Sequence, residues 1–170
     1  IKDSVEIIAR NKGVEADISD FIKIKEDPKV NELLQRGKAM GCFYIESPAM
    51  RMLLGKLHCN DYLTLVAASS IIRPGVARSG MMREYIYRHL NPGDHDYIHP
   101  KMQELMKETY GIMVYQEDVI KVAHHFAGLD LAEADILRRG MSGKFRSRKE
   151  FQKVEEKFFS NCRDRGYPDE

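Results

Sequence analysis

Apolar residues recur along this chain at helical spacing, and polar punctuation marks where each run begins. Asp27-Pro28 precedes Val30, Leu33 and Leu34, with Gly37 after them, and Ser47-Pro48 precedes Met50, Leu53 and Leu54. A short acceptor side chain followed by proline starts a helix, because the side chain takes up a free N–H and proline fits the first turn. By the same logic Asn60 can cap DYLTLVAASSII, Ser79 can cap GMMREYIYRHL, and Pro100 opens KMQELMKETY before Gly111. A further helix is expected from about Leu131, with Arg138 and Arg139 in its last turn and Gly140 as C-cap. A long one is expected from about Ser147, with Phe151, Val154, Phe158, Phe159 and Cys162 near one face. Two runs break the pattern: GCFYI (Gly41 to Ile45) and GIMVY (Gly111 to Tyr115) are β-branched or aromatic after glycine, and each predicts a short strand or an extended entry into a helix. The expected fold is mainly α, with at most a few short strands.

Length and composition change the picture little. With 170 residues, 43% of them apolar, the chain can bury a real core within one domain. Met50, Met52, Met81, Met82, Met102 and Met106 are expected to fill core gaps or small interfaces. The start at Ile1 without methionine and the end at Tyr167-Pro168-Asp169-Glu170 read as the boundaries of an excised piece. No run approaches the ~18 consecutive apolar residues of a membrane span. Cys42, Cys59 and Cys162 are odd in number and widely spaced, which suits a reducing cytoplasm better than a disulfide framework.

Charge is where the chain becomes specific. Lys and Arg number 27 against 26 Asp and Glu, a net charge of +1, yet the stretch between Asp135 and Glu150 holds Arg138, Arg139, Lys144, Arg146, Arg148 and Lys149 without one acid. A chain that coats nucleic acid nonspecifically is basic throughout, so this pattern points either to one focused anion site or to a solvated loop. Cations in the last turn of a helix complement its dipole, which accounts for one arginine and not for six basic residues. Neighbouring helical residues project about 100° apart, so at most one of Arg138 and Arg139 is expected to pair with Asp135. Guanidinium forks beside a glycine-interrupted loop suit a polyphosphate or a nucleic-acid backbone. GDHDYIHP crowds Asp94, His95, Asp96 and His99 into a possible metal loop, but Asn91-Pro92-Gly93-Asp94 is turn chemistry and His99-Pro100 a helix entry, so no metal is expected there.

The series GCFYIES, AMRMLL, RPGVARSGM, HPKMQELMKETYGIMVYQEDV and AGLDLAEADILRRGMSGK resembles, in order and spacing, the α-subunit family of bacterial DNA polymerase III, the C-family replicative polymerases. The resemblance covers nearly the whole chain and implies the helical fingers domain of a template-directed DNA polymerase. It implies that Arg138 and Arg139 contact the triphosphate of the incoming nucleotide, with Lys144 as a third cation and Arg73 of the RPG turn as a further candidate. For Arg73, a helix-end or ion-pair role weighs equally. Arg146, Arg148 and Lys149 fall beyond the matched pattern and are candidates for DNA phosphates or for solvent. Ser79 and Gly80 suit a helix cap or a phosphate contact; Tyr115 and Gln116 suit the nascent base pair, although Tyr115 can equally pack beneath it.

The family's chemistry rests on palm-domain aspartates that hold two divalent metals, expected as Mg2+ in the full-length enzyme, and none of them matches here. The fragment is therefore expected to carry no catalytic residue and no metal of its own, and to be inactive in isolation. Expected partners are primer-template DNA, deoxynucleoside triphosphates and, through regions outside these residues, other replicase subunits, in the cytoplasm and away from membranes. Departures from the family pattern occur at Ile72 and Val76, where YRPGP becomes IRPGV, and at Tyr44, where GVFQLES becomes GCFYIES. The alternative reading is an autonomous, non-catalytic helical module that binds nucleic acid.

Overall fold

A computed structural model describes residues 1–72, 80–143 and 147–167. The fold is helical, and no strand occurs among the described residues. The chain divides into two compact units, Ile1–Ala68 and Ser69–Glu170. No helix among the described residues is long and apolar enough to cross a membrane.

The first unit holds α1 (Lys2–Lys12), α2 (Phe21–Lys25), α3 (Pro28–Gln35) and α4 (Pro48–Lys56), and the boundary falls within α5 (Tyr62–Ile71). Asp27 caps α3 by accepting from the N–H groups of Lys29 and Val30, and Ser47 caps α4 by accepting from that of Met50. Gly37 ends α3 with φ +60°, donating to the Leu34 carbonyl while Lys38 donates to that of Leu33. This pair of bonds needs a left-handed residue at the turn, which glycine adopts without strain. The same device closes α4 at His58, φ +48°, with His58 and Cys59 donating to the carbonyls of Gly55 and Leu54. Leu53, Leu54, Leu57 and Cys59 are fully buried, and burial pushes the Cys59 thiol up to about 11. α3 packs on α4.

Two local expectations fail here. Asp61, not Asn60, caps α5: its carboxylate accepts from the Thr64 N–H at 2.9 Å and the Thr64 hydroxyl at 2.6 Å. GCFYI forms neither a strand nor an extended entry. Tyr44 sits at φ +71° and Gly41 at +82°, and the Glu46 carboxylate accepts from the Gly41 N–H at 3.1 Å, so the segment winds into successive turns with Phe43 94% exposed.

In the second unit, α6 (Met81–Leu90) precedes α7 (Pro100–Met106), a 3-10 turn at Lys107–Thr109, α8 (Gln116–Lys121), α9 (Leu131–Met141) and α10 (Arg148–Asp164). Ser79 lies outside the described residues, and Gly80 stands at the start of α6 with φ +79° and no side-chain cap. GIMVY takes the second of its two predicted forms: residues 112–114 run without helix or strand into Tyr115, the residue that leads into α8. α8 widens into a π turn at Val122–Phe126, and α9 packs on both α8 and α10. Ala123, Ala127, Leu129, Ala134 and Val154 form the buried cluster between them, flanked by Ile120, Ile136, Leu137, Phe158 and Cys162. Of the predicted α10 face, Phe159 departs and is exposed. The methionines divide: Met50 and Met106 are buried, whereas Met52 is half exposed.

α9 begins with a reciprocal cap. The Asp130 carboxylate accepts from the Glu133 N–H at 2.8 Å, and the Glu133 carboxylate accepts from the Asp130 N–H at 3.0 Å. Asp130→Ala is expected to cost about 1 kcal/mol, read as a lowered midpoint in thermal unfolding. α9 ends at Ser142, two residues later than expected; Gly140 is an interior, buried helical residue pressed against the Phe151 ring of α10.

Candidate functional site

The last turns of α9 bring Arg138 and Arg139 onto one carboxylate. Asp135 Oδ1 accepts from Arg138 Nε at 2.9 Å and Nη2 at 2.7 Å, while Asp135 Oδ2 lies 3.0 Å from Arg139 Nε. The expectation that only one arginine can pair is therefore wrong. Spacings of three and four residues put both stems over the same turn, and each long side chain bends to its own carboxylate oxygen. The Arg138 bonds hold the Asp135 carboxyl below its ordinary value, against the opposing effect of desolvation, and the charges of Arg139 and Arg138 add to the lowering. A lowered carboxyl keeps this grip at neutral pH and loses it only as pH falls through the lowered value.

Arg138 has a second anchor. Its Nη1 donates to Gln116 Oε1 at 2.8 Å, tying the end of α9 to the start of α8. Arg139 is held only along its stem side, by Asp135 Oδ2 and, at 3.4 Å, by the Asp135 carbonyl. Its terminal Nη groups have no hydrogen-bond partner among the described residues, and its side chain is 38% exposed against 26% for Arg138. The two arginines thus differ: one braces two helices, and the other presents terminal N–H groups that no described residue takes up.

Arg148 and Lys149 occupy the first positions of α10, after the Ser147 cap, and are exposed. Neither side chain has a hydrogen-bond or ion-pair partner among the described residues. Cations at a helix N-terminus oppose the dipole, so the fold gains nothing from them there. Lys144, Arg146 and Arg73 lie outside the described residues, as do Val76 and the rest of the RPG turn.

Other candidates make local contacts within the second unit. Tyr115 is half-buried, and its N–H donates to Asp118 Oδ2 at 2.8 Å. Asp118 is fully buried at the start of α8, and burial raises its carboxyl above the ordinary value. His99 Nδ1 accepts from the Lys101 N–H at 3.0 Å and so caps α7, while its ring packs on Phe126 and Tyr167. The Asp94 carboxylate accepts from the Tyr87 hydroxyl, and the His95 ring packs against those of Tyr97 and Tyr110. Among the described residues no group of three or more His, Cys, Asp or Glu side chains could hold a metal ion.

The sequence pattern that defines the finger domain of the bacterial DNA polymerase III alpha subunit matches residues 1–166. The chain belongs to that family. It is 36% identical over 166 residues to DNA polymerase III subunit alpha of Aquifex aeolicus, covering 97% of this chain, and 36% identical over 161 residues to that of Staphylococcus aureus strain Mu50, covering 94%. It spans only 14% of the length of either relative. Within this DNA polymerase III finger domain, sequence reasoning selected both arginines but missed Asp135 as their common partner and Gln116 as a brace. The i, i+3 and i, i+4 spacing of Asp135 to the two arginines carried the signal for the first. Gln116 is 22 residues from Arg138 in the chain, so only the packing of α8 on α9 reveals the second.

Proposed function

We propose that these residues are part of the fingers of a template-directed DNA polymerase and that they bind the triphosphate of the incoming deoxynucleotide. The observation that carries this reading is the Arg138–Arg139 pair on Asp135, with the terminal N–H groups of Arg139 left without a described partner. Phosphoryl transfer draws mainly on positioning and charge neutralisation, and a planar fork matches phosphate oxygens two at a time. Lys144 and Arg73 complete the proposed nucleotide contacts, and Arg146, Arg148 and Lys149 the proposed contacts to DNA phosphates. Mg2+ belongs to the proposed full-length enzyme. Its proposed ligands are carboxylates outside the residues described here. The proposed setting is the bacterial cytoplasm, with primer-template DNA as partner and other replicase subunits engaged through other regions.

The steady-state kinetics of Arg138 and Arg139 variants test the nucleotide contact. DNA contact is tested on this chain itself by the salt dependence of binding. Phosphate contacts release counterions, so each one lost makes the slope of log K against log salt shallower by about 0.9 on duplex DNA. Arg148→Glu and Lys149→Glu are each expected to flatten that slope in a fluorescence titration with a mixed-sequence duplex. An unchanged slope for both would mark them as solvated charges. Purified alone, the chain is expected to bind DNA weakly and to extend no primer in the presence of Mg2+; extension would overturn the placement of the catalytic carboxylates outside these residues.

A further inference from the structure

We infer that Asp135 is a positioning residue for the incoming triphosphate, acting through Arg139, and that Gln116 supports it through Arg138. This rests on the reading of the two arginines as triphosphate contacts. A pair of adjacent guanidiniums repel each other, and each stem has several rotatable bonds, so an unsupported pair would be splayed and would have to be ordered when nucleotide binds. Here the ordering is already done. Arg138 is fixed by bonds from Nε and Nη2 to Asp135 and from Nη1 to Gln116. Arg139 is gripped at Nε alone, by a carboxylate oxygen at 3.0 Å and more weakly by the Asp135 carbonyl at 3.4 Å. A grip at Nε fixes the plane of the guanidinium and leaves the two Nη groups for a ligand. The carboxylate thus lowers the local positive charge by one while setting the direction of the fork that remains.

Those two effects of Asp135 have opposite consequences for nucleotide binding. If its charge were what mattered, removing it would strengthen attraction for a polyanion and lower KM. If positioning matters more, removing it raises KM although the site becomes more positive. Asp135→Asn keeps the shape but replaces one acceptor oxygen by a donor, which cannot serve a guanidinium N–H.

The experiment is steady-state primer extension by the full-length polymerase carrying these residues, with each of the four deoxynucleotides. Asp135→Asn is expected to raise KM about five- to tenfold for all four, with kcat changed by less than about twofold, as for loss of a pre-aligned phosphate contact. Gln116→Met, similar in size and without an acceptor, is expected to raise KM by about two- to threefold through Arg138. In Asp135→Asn/Arg139→Ala the two effects are expected not to multiply, because the aspartate acts through a group that is gone. A KM that is unchanged or lowered in Asp135→Asn, while Arg139→Ala raises it, overturns the positioning role and leaves the triphosphate contact standing. A normal KM in Arg139→Ala overturns the contact itself. Should Asp135→Asn fail to fold in a thermal melt, Gln116→Met decides: raised KM supports the support chain, and unchanged KM overturns it.

Discussion

Arg139→Ala, in the full-length polymerase, is expected to raise KM for all four deoxynucleotides alike and to lower kcat/KM by about ten- to a hundredfold, since a charge-assisted bond to phosphate contributes roughly 1.5–3 kcal/mol. Uniformity across the four bases is the signature, because a phosphate contact carries no base information. kcat is expected to fall as well if the bond strengthens while charge builds on the leaving pyrophosphate. Arg139→Lys should recover only part of the loss, since lysine keeps the charge but has no planar fork. A cation that merely complements a helix end behaves differently: its removal costs at most about 1 kcal/mol of stability and leaves nucleotide kinetics intact. Arg138→Ala is expected to show both effects, because Arg138 also ties α9 to α8 through Gln116. Steady-state kinetics and thermal melts on the three variants separate these cases, and normal kinetics in both alanine variants would remove the site from α9.

Four helices, α3, α4, α9 and α10, were legible because their starts are local chemistry, whereas α1 and α2 were not anticipated. Asp27, Ser47, Asp130 and Ser147 each take up free N–H groups within the next three residues, so the outcome depends on nothing distant. The arginines were legible as a charge run in a nearly neutral chain. GCFYI was misread because β propensity describes a pleated, half-buried surface, whereas this segment is set by left-handed turns at Gly41 and Tyr44 and by Glu46 reaching back to the Gly41 N–H. The shared carboxylate was missed for a different reason. An angle of about 100° between adjacent stems fixes where side chains leave the helix, not where long ones end, and Asp135 offers one oxygen to each arginine. Gln116 depends on how α8 meets α9, which the local pattern leaves open.

Gly140 shows the same gap between local and tertiary information. A glycine after two arginines reads as a helix C-cap, yet α9 continues through it, and a Cβ built there would lie 2.1 Å and 2.2 Å from two ring carbons of Phe151. The missing side chain is what lets α10 lie close against α9. Gly140→Val is expected to destabilise the chain by about 2–3 kcal/mol, the cost of forcing an ordered core apart. For a chain of this size that lowers the thermal midpoint by roughly 5–10 °C. Helix propensity acts the other way, favouring almost any residue over glycine by up to about 1 kcal/mol, so the net loss measures the clash and not the backbone. The clash reading makes a sharper demand. Phe151→Leu on its own should be mildly destabilising, since it opens space beside Gly140. Combined with Gly140→Val it should restore much of the lost midpoint, because the smaller side chain vacates the volume that valine needs. If the two changes add without coupling, Phe151 is not what excludes a side chain at residue 140, and the close approach of α9 and α10 must have another cause. Because Arg138 and Arg139 immediately precede Gly140, the single variant is also expected to raise nucleotide KM in the full-length polymerase, and the double variant to bring it back.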